Sequence, residues 1–562
     1  MKKLIAFLLS TAMLVTALAG CGSETASTPD QGEAAVEEAG DAEATTVTGT
    51  DKTMIVTNGE ACATCDPVGA SAIQEQMLQV NVYDSLVFPT FDGEMIPWVA
   101  ESWDISEDGL QYTFHLRDDV KFHNGYTLKA SDVVFSMNRL MTMAISYSFM
   151  WADCFDSCEA IDDTTVVFNL KIPFGPFISS LCRLYIVSEA EVMAHLDDAD
   201  TTYGDMKDYG ANWLLSNDAG SGPYMISDYS AENYVVCDKF ADYWGGWEEG
   251  APEQMKIVFT KEETTMKTMM KNNELDISAP YQSTEFYESV DAMEGIDVAS
   301  YDTGMVQYLM YNCQKAPTDD ANFRKGLSYL IDYAVTKTLY YDADECTTYY
   351  CSNLPGASIV DDLYAYSTEK AQECFDASKY ADQLDDVVVD LTFHNATSDN
   401  EVLATYIKSQ LDAFGIKSEI TMVPWLTLVD LVSTPETSPG ATSVSVTADY
   451  WEAGAMISSR YSSANTGTWM NSEWLCDDEL DAMITDALAT PDDTERYAKY
   501  DEITNYVKDV CPCALIASVY QSAAYHADYV EWPVAQYVQE GKIPACPAGY
   551  HYYFHDCKLI AE

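Results

Sequence analysis

The spacing of apolar and polar residues changes period several times along the chain, and each change marks an element. Met54 to Asn58 reads as a strand leading into a Cys-containing turn and Asp66-Pro67, and Tyr112 to Leu116 and Thr165 to Leu170 are further strand runs bounded by turn residues. Over Asp132 to Leu140 the period lengthens, placing Val133, Val134, Met137 and Leu140 on one side of a helix. A βαβ unit follows later. Val387 to Phe393 predicts a buried strand, and Leu403, Tyr406, Ile407, Gln410, Leu411 and Phe414 then recur at helical spacing. Gly415 stops that helix, and Ile416 to Val423 forms the next strand. Leu480, Met483, Ile484 and Leu488 predict one more helix, and Tyr497, Tyr500, Ile503 and Val507 another, with their aromatic stripes assigned to the core. The pattern is α/β with extra hairpins and no internal repeat.

Length turns this pattern into an architecture. A chain of 562 residues is too long for one ordinary core and implies two or three lobes or one large mixed fold. Its 48% hydrophobic and 12% aromatic residues exclude global disorder. Charge then removes partners: 91 acids against 29 Lys and Arg give a net charge of −62, which repels nucleic-acid phosphates and anionic lipid head groups.

The first residues give an address. Lys2 and Lys3 precede an apolar run from Leu4 to Ala19, the length of a secretory signal and short for a membrane span. It ends at Leu18-Ala19-Gly20-Cys21, which resembles a bacterial lipobox. That resemblance implies a signal peptide over residues 1–20, cleavage before Cys21 and lipidation of its thiol, with anchoring at the outer face of the bacterial cytoplasmic membrane. Loss of Lys2 and Lys3 takes the formal charge from −62 to −64. No later segment approaches 18 uninterrupted apolar residues. Residues 21–51 are rich in Ala, Thr, Gly and acids and hold no aromatic, which predicts a disordered tether with a reach of about 30 Å.

With Cys21 assigned to lipid, 15 of the 16 cysteines remain, an odd number that cannot all pair within the chain. Cys62/Cys65, Cys154/Cys158, Cys346/Cys351 and Cys511/Cys513 are close enough for disulfides in an exported protein, and free thiols throughout are the alternative in an anaerobe. The seven histidines do not cluster as a zinc site requires, although His551 and His555 closely precede Cys557. No metal site and no cofactor is expected.

Enzyme signatures are missing: there is no G-x-S-x-G, H-E-x-x-H, G-x-x-x-x-G-K-[ST] or G-x-G-x-x-G. Paired acids are uninformative at this composition. The strongest signal is a longer stretch. Ile96-Pro97-Trp98-Val99-Ala100-Glu101-Ser102-Trp103 leads through Ser106-Glu107-Asp108-Gly109-Leu110 to Tyr112-Thr113-Phe114-His115-Leu116-Arg117. Val120-Lys121-Phe122-His123-Asn124-Gly125 and Lys129-Ala130-Ser131-Asp132-Val133-Val134-Phe135-Ser136 complete it. This run resembles the signature of family 5 solute-binding proteins, the peptide- and nickel-binding receptors of ABC importers. Gly220-Ser221-Gly222-Pro223-Tyr224, Asp242-Tyr243-Trp244, Leu309-Met310-Tyr311-Asn312, Phe323 to Asp332 and Asp492 to Tyr500 extend the likeness over roughly residues 52 to 535. Read physically, Asp108-Gly109 and Asn124-Gly125 are hairpin turns of a scaffold.

The resemblance implies a non-enzymatic receptor with a two-lobed periplasmic-binding-protein-like fold (type II, cluster C) and an extra N-terminal subdomain. Residues 52–80 and 215–302 would make lobe I, 81–214 the extra subdomain, 303–515 lobe II, and 516–562 a C-terminal return to lobe I. Lobes of this family close over a ligand, and peptide-binding members hold the peptide as an added strand. Thr447-Ala448-Asp449-Tyr450-Trp451-Glu452 resembles the loop whose Asp pairs with the peptide α-ammonium, which points to Asp449. Ser71, Ala72 and Ile73 match the strand supplied by the first lobe, and Ser445, Val446 and Thr447 that supplied by the second. Two departures stand out: Val446 where an aromatic is frequent, and Tyr-Trp-Glu-Ala where Asp-Pro is common. Trp425, Trp451, Trp469 and Trp474 line side-chain pockets or fill the core, and Arg460 is a weak candidate for the peptide carboxylate.

The expected function is capture of short peptides for a membrane permease driven by a separate cytoplasmic ATPase, the negative field favouring neutral or basic peptides. The alternatives are the same fold binding a nickel complex, an oligosaccharide or another small molecule, an exported hydrolase, and a signalling or adhesive surface lipoprotein.

Overall fold

The computed structural model describes residues 53–69, 73–360, 363–395 and 397–560. Cys21, Ser71 and Ala72 lie outside them, as do the signal and tether. Three sheets organise the chain into a two-lobed α/β fold. In the first, Thr53–Asn58 pairs in parallel with Gln254–Phe259, which continues antiparallel to Tyr234–Lys239 and Tyr224–Ser230. The second runs Ala343–Asp344, Cys513–Val519, Val306–Tyr311, Ala441–Val446, Val388–His394, Lys417–Val423. The third is an antiparallel hairpin sheet of Ala100–Ile105, Gln111–Leu116, Thr165–Leu170 and Phe155–Ala160.

The chain passes between the first two sheets twice, side by side. Ile296–Tyr301 pairs with Gln521–His526, and directly beyond the crossings Val306–Tyr311 pairs with Cys513–Val519. Asp302 sits in one crossing, fully buried. Its carboxylate accepts bonds from the Gly304 amide (2.7 Å), Asn353 Nδ2 (2.7 Å) and Cys351 Sγ (3.4 Å). These bonds fix the turn between Ile296–Tyr301 and Val306–Tyr311.

The βαβ unit forms as its periodicity requires. Val388–His394 and Lys417–Val423 pair in parallel around the helix Ser398–Phe414, and Gly415 ends that helix at φ 102°, where a side chain would be strained. Leu403, Ile407 and Leu411 are buried beneath it. The helices Asp478–Leu488 and Asp493–Val510 bury Leu480 and Ile484, and Tyr500, Ile503 and Val507. All 15 cysteines among the described residues are free thiols, 11 of them buried, so none of the close pairs is a disulfide. Among the described residues no group of His, Cys, Asp and Glu is arranged to hold a metal, and no helix is long and apolar enough to cross a membrane.

The signature motifs converge on one buried carboxylate. Asp84 accepts hydrogen bonds from Trp98 Nε1 (2.9 Å), Ser221 Oγ (2.9 Å), Trp244 Nε1 (3.2 Å) and Tyr243 Oη (3.4 Å). Its donors come from the first signature stretch, the glycine turn and the Asp-Tyr-Trp landmark. That convergence ties three motifs distant in sequence to one buried carboxylate.

A second buried pair gives the scaffold a pH dependence. His123 Nδ1 faces Asp218 Oδ1 at 2.5 Å and its Nε2 faces the Gly222 carbonyl at 2.9 Å. With an acceptor on each side, both ring nitrogens must donate, so the ring is an imidazolium. Asp218 also accepts the Ile226 and Gly220 amides. Burial alone pulls the His123 pKa down, but Asp218, the Gly222 carbonyl and Asp84 outweigh it and raise the pKa above 6.5. A histidine raised in this way contributes stability that is complete below 6.5 and is lost as pH climbs through the folded-state pKa. Thermal melts between about pH 6 and 9 are expected to show a falling melting temperature in the wild type and no such alkaline fall in His123→Gln. Parallel curves for the two proteins would show that this pair does not control the alkaline limb.

Candidate functional site

The site is built where the second sheet leaves an edge open. Ala441–Val446 pairs along its whole length with Val306–Tyr311, but Val388–His394 covers its other edge only as far as Ser443. From Val444 to Val446 no described strand lies on that edge, which leaves main-chain groups for an added strand. The period of two puts Ser443 and Ser445 on the Gln307 side: Gln307 Nε2 donates to Ser443 Oγ at 2.8 Å, and Ser445 Oγ donates to Gln307 Oε1. Val444 and Val446 are buried, and Thr447 follows, partly exposed.

The next residues form a loop that holds Asp449. Its main-chain oxygen accepts Arg183 Nε at 2.8 Å. Its carboxylate is partly exposed and has no hydrogen-bond partner among the described residues. Burial pushes the Asp449 pKa up to about 6, opposed only by the positive charge of Arg183. Arg183 is itself 2% exposed; its Nη1 donates to the Ala548 carbonyl at 3.0 Å, and its guanidinium lies over the rings of Tyr147 and Tyr550.

The rest of the loop is anchored. Trp451 packs on Gly93, where a Cβ would stand 2.5 Å from the indole. Glu452 is buried and paired with Arg496 through Nε (2.8 Å) and Nη2 (2.9 Å), and Tyr500 Oη donates to it at 2.7 Å. The Glu that departs from the common pattern is therefore a strut and not a ligand group. Two further long-range contacts reach helices of the second half of the chain: Gly175 donates its amide to the Leu488 carbonyl at 2.8 Å, and the Thr284 hydroxyl donates to Asp399 at 3.2 Å.

The other residues singled out in the sequence fall elsewhere. Ile73 opens the helix Ile73–Val82, so at this position the chain is helical and not extended. Arg460 is fully buried and paired in two places with Glu473, and it lies 4.0 Å over the Tyr308 ring, so it has no charge to offer a ligand. Trp425 packs edge-on against Trp469, and Trp474 donates to the Val432 carbonyl; of the four tryptophans only Trp451 belongs to the Asp449 loop. A surface cavity of about 370 Å³ lined by Trp247, Glu248, His555 and Lys558 shares no residue with that loop. Arg183 went unnoticed in the sequence. Its one signal was rarity, since the chain has only six arginines.

Comparison with known proteins supports the fold and the family. Among solved structures, the periplasmic binding protein DppA of Helicobacter pylori in complex with the peptide STSA superposes with a TM-score of 0.76, at 21% identity, covering 90% of this chain and 98% of the other. NikZ of Campylobacter jejuni in complex with Ni(L-His) superposes at 0.74 with 17% identity, covering 90% and 99%. The dipeptide-binding protein of Escherichia coli K12 is 25% identical over 472 residues, 78% of this chain and 84% of its own. The sequence profile of bacterial extracellular solute-binding proteins, family 5 Middle, matches residues 94–468. The chain belongs to that family, the solute-binding components of ABC importers, and is a binding protein and not an enzyme.

Proposed function

We propose that the chain is a lipid-anchored receptor, held by Cys21 at the outer face of the cytoplasmic membrane, that captures short peptides and delivers them to an ABC permease. Lobe I is residues 52–80 and 215–302 with the return 516–562, lobe II is 303–515, and 81–214 is the extra subdomain. The observation that carries the reading is the carboxylate of Asp449, ionisable, hydrogen-bonded to no described group and placed just past an open strand edge. An α-ammonium at that carboxylate, with the peptide main chain on Ser445 to Thr447, satisfies both. From lobe I, Ser71 and Ala72, the two residues before the helix Ile73–Val82, would supply the remaining contacts. The field of the chain favours neutral and basic peptides.

The test is thermal stabilisation of residues 52–562 by a peptide library containing acidic, neutral and basic members at low salt, each also supplied N-acetylated. Native-state binding adds about 2.7 kcal/mol of stability at a hundredfold excess over Kd, which raises the melting temperature. Free peptides are expected to stabilise and acetylated ones not. No shift with any peptide refutes the reading and leaves a non-peptide ligand such as a nickel complex.

A further inference from the structure

The third sheet meets the Asp449 loop through one short segment. Lys171 to Pro176 joins the strand Thr165–Leu170 to the helix Phe177–Ser180, and Phe174 within it is buried. The Phe174 ring stands edge-on to that of Tyr450 at 6.2 Å, beside Asp449 in the chain, and its carbonyl accepts Tyr112 Oη at 3.4 Å. Gly175 follows, with its amide on the Leu488 carbonyl at 2.8 Å. From the same sheet the Asp108-Gly109 turn presses on Pro491, where a Cβ at Gly109 would stand 3.0 Å from the ring Cγ.

Gly175 is a glycine for want of room. Its φ is not positive and places no bar on a side chain. A Cβ there, however, would overlap Arg496 Nη1 and stand 2.5 Å from the Thr490 carbonyl oxygen and 2.8 Å from Arg496 Cζ. The guanidinium it would strike is already committed. Nε and Nη2 hold the Glu452 carboxylate at 2.8 and 2.9 Å, and Nη1 holds the Thr490 and Pro491 carbonyls at 3.0 and 3.1 Å. Arg496 is also buried, so a side chain at position 175 displaces either the guanidinium from Glu452 or the segment from Tyr450. Tyr450 and Glu452 are thus both seated against the third sheet, the first directly and the second through Arg496.

We infer that Gly175 is a positioning residue for ligand capture: by admitting the Arg496 guanidinium, it lets the third sheet seat the loop that presents Asp449. This rests on the proposed role of Asp449, and the test has two arms on the full chain that fail separately. In the first, Asp449 reports on its own seat without any ligand. The difference in melting temperature between the wild type and Asp449→Asn is expected to change with pH up to about 6 and level off above it. In a Gly175→Ala background the loosened loop lets water reach the carboxyl, and the difference is expected to level off at lower pH, towards 3.8. Phe174→Leu, which keeps the glycine and takes the ring from Tyr450, is expected to move it the same way and carries the comparison if Gly175→Ala does not fold. The second arm is calorimetric titration with trialanine, free and N-acetylated. Gly175→Ala is expected to bind the free peptide about tenfold more weakly than the wild type, in line with the coupling between residues in contact. The same levelling pH in every background, or wild-type affinity in Gly175→Ala, overturns the inference. Equal binding of free and N-acetyl trialanine by the wild type overturns the Asp449 assignment instead, and the ligand-free arm still decides whether Gly175 seats that residue.

Discussion

Asp449→Asn is expected to lower peptide affinity about 100-fold or more while making the ligand-free protein more stable. Both effects follow from one carboxylate. Burial has moved its pKa from 3.8 to about 6, so at neutral pH the folded protein holds an ionised group that would be more comfortable neutral. The sign is clear: with the folded-state value above the unfolded one, the favourable contribution is complete below pH 3.8 and is lost as pH rises to about 6. After discounting for partial exposure, the ionised side chain costs on the order of 1–2 kcal/mol at neutral pH, and the amide escapes it. A ligand ammonium bound there would add a second positive charge beside that of Arg183, so binding is expected to recover that cost. Wild-type affinity is expected to fall as pH drops through about 6, and the residual affinity of the variant to be flat there. Melting curves and titrations on the two proteins at about pH 5 and 7.5 decide the matter. A destabilised variant with wild-type affinity would remove Asp449 from the site.

How much of this was legible in the sequence depends on whether an interaction is local. The βαβ unit could be read because period and punctuation are properties of neighbouring residues: Leu403, Ile407 and Leu411 repeat every turn, and Gly415 marks the stop. The Asp108-Gly109 and Asn124-Gly125 turns were legible for the same reason, and both glycines take positive φ. The convergence of Trp98, Ser221, Tyr243 and Trp244 on Asp84 spans up to 160 residues, and nothing at Asp84 itself announces it. Arg183 and Asp449 lie 266 residues apart and meet only in the folded chain. Ile73 was read as extended because the resemblance supplied a strand there, whereas the helix Ile73–Val82 starts at that residue. Arg460 was misjudged because a sequence shows a charge and not its partner; Glu473, 13 residues on, had already claimed it.

That same blindness applies to Glu452, where the sequence showed only a departure from pattern, and its partner carries the other large expected effect. Arg496→Met is expected to destabilise the protein by about 3–5 kcal/mol, because it leaves the Glu452 carboxylate buried without its cation. Glu452 keeps one described donor, Tyr500 Oη at 2.7 Å, and the Thr490 and Pro491 carbonyls lose Nη1 at 3.0 and 3.1 Å. The paired variant Glu452→Leu/Arg496→Met removes the uncompensated charge and is expected to regain most of the loss. The remainder, about 1–3 kcal/mol, is the cost of the hydroxyl and carbonyls left unpaired. Because Glu452 stands three residues after Asp449, loosening it should also free the loop that aims the Asp449 carboxylate. The single variant is therefore expected to weaken ligand binding even under conditions where it is fully folded, and the pair to restore stability further than affinity. Denaturant midpoints and titrations on wild type, both single variants and the pair form a complete cycle. A single variant that unfolds at the wild-type midpoint would show that the Glu452–Arg496 bridge is not what fixes this loop.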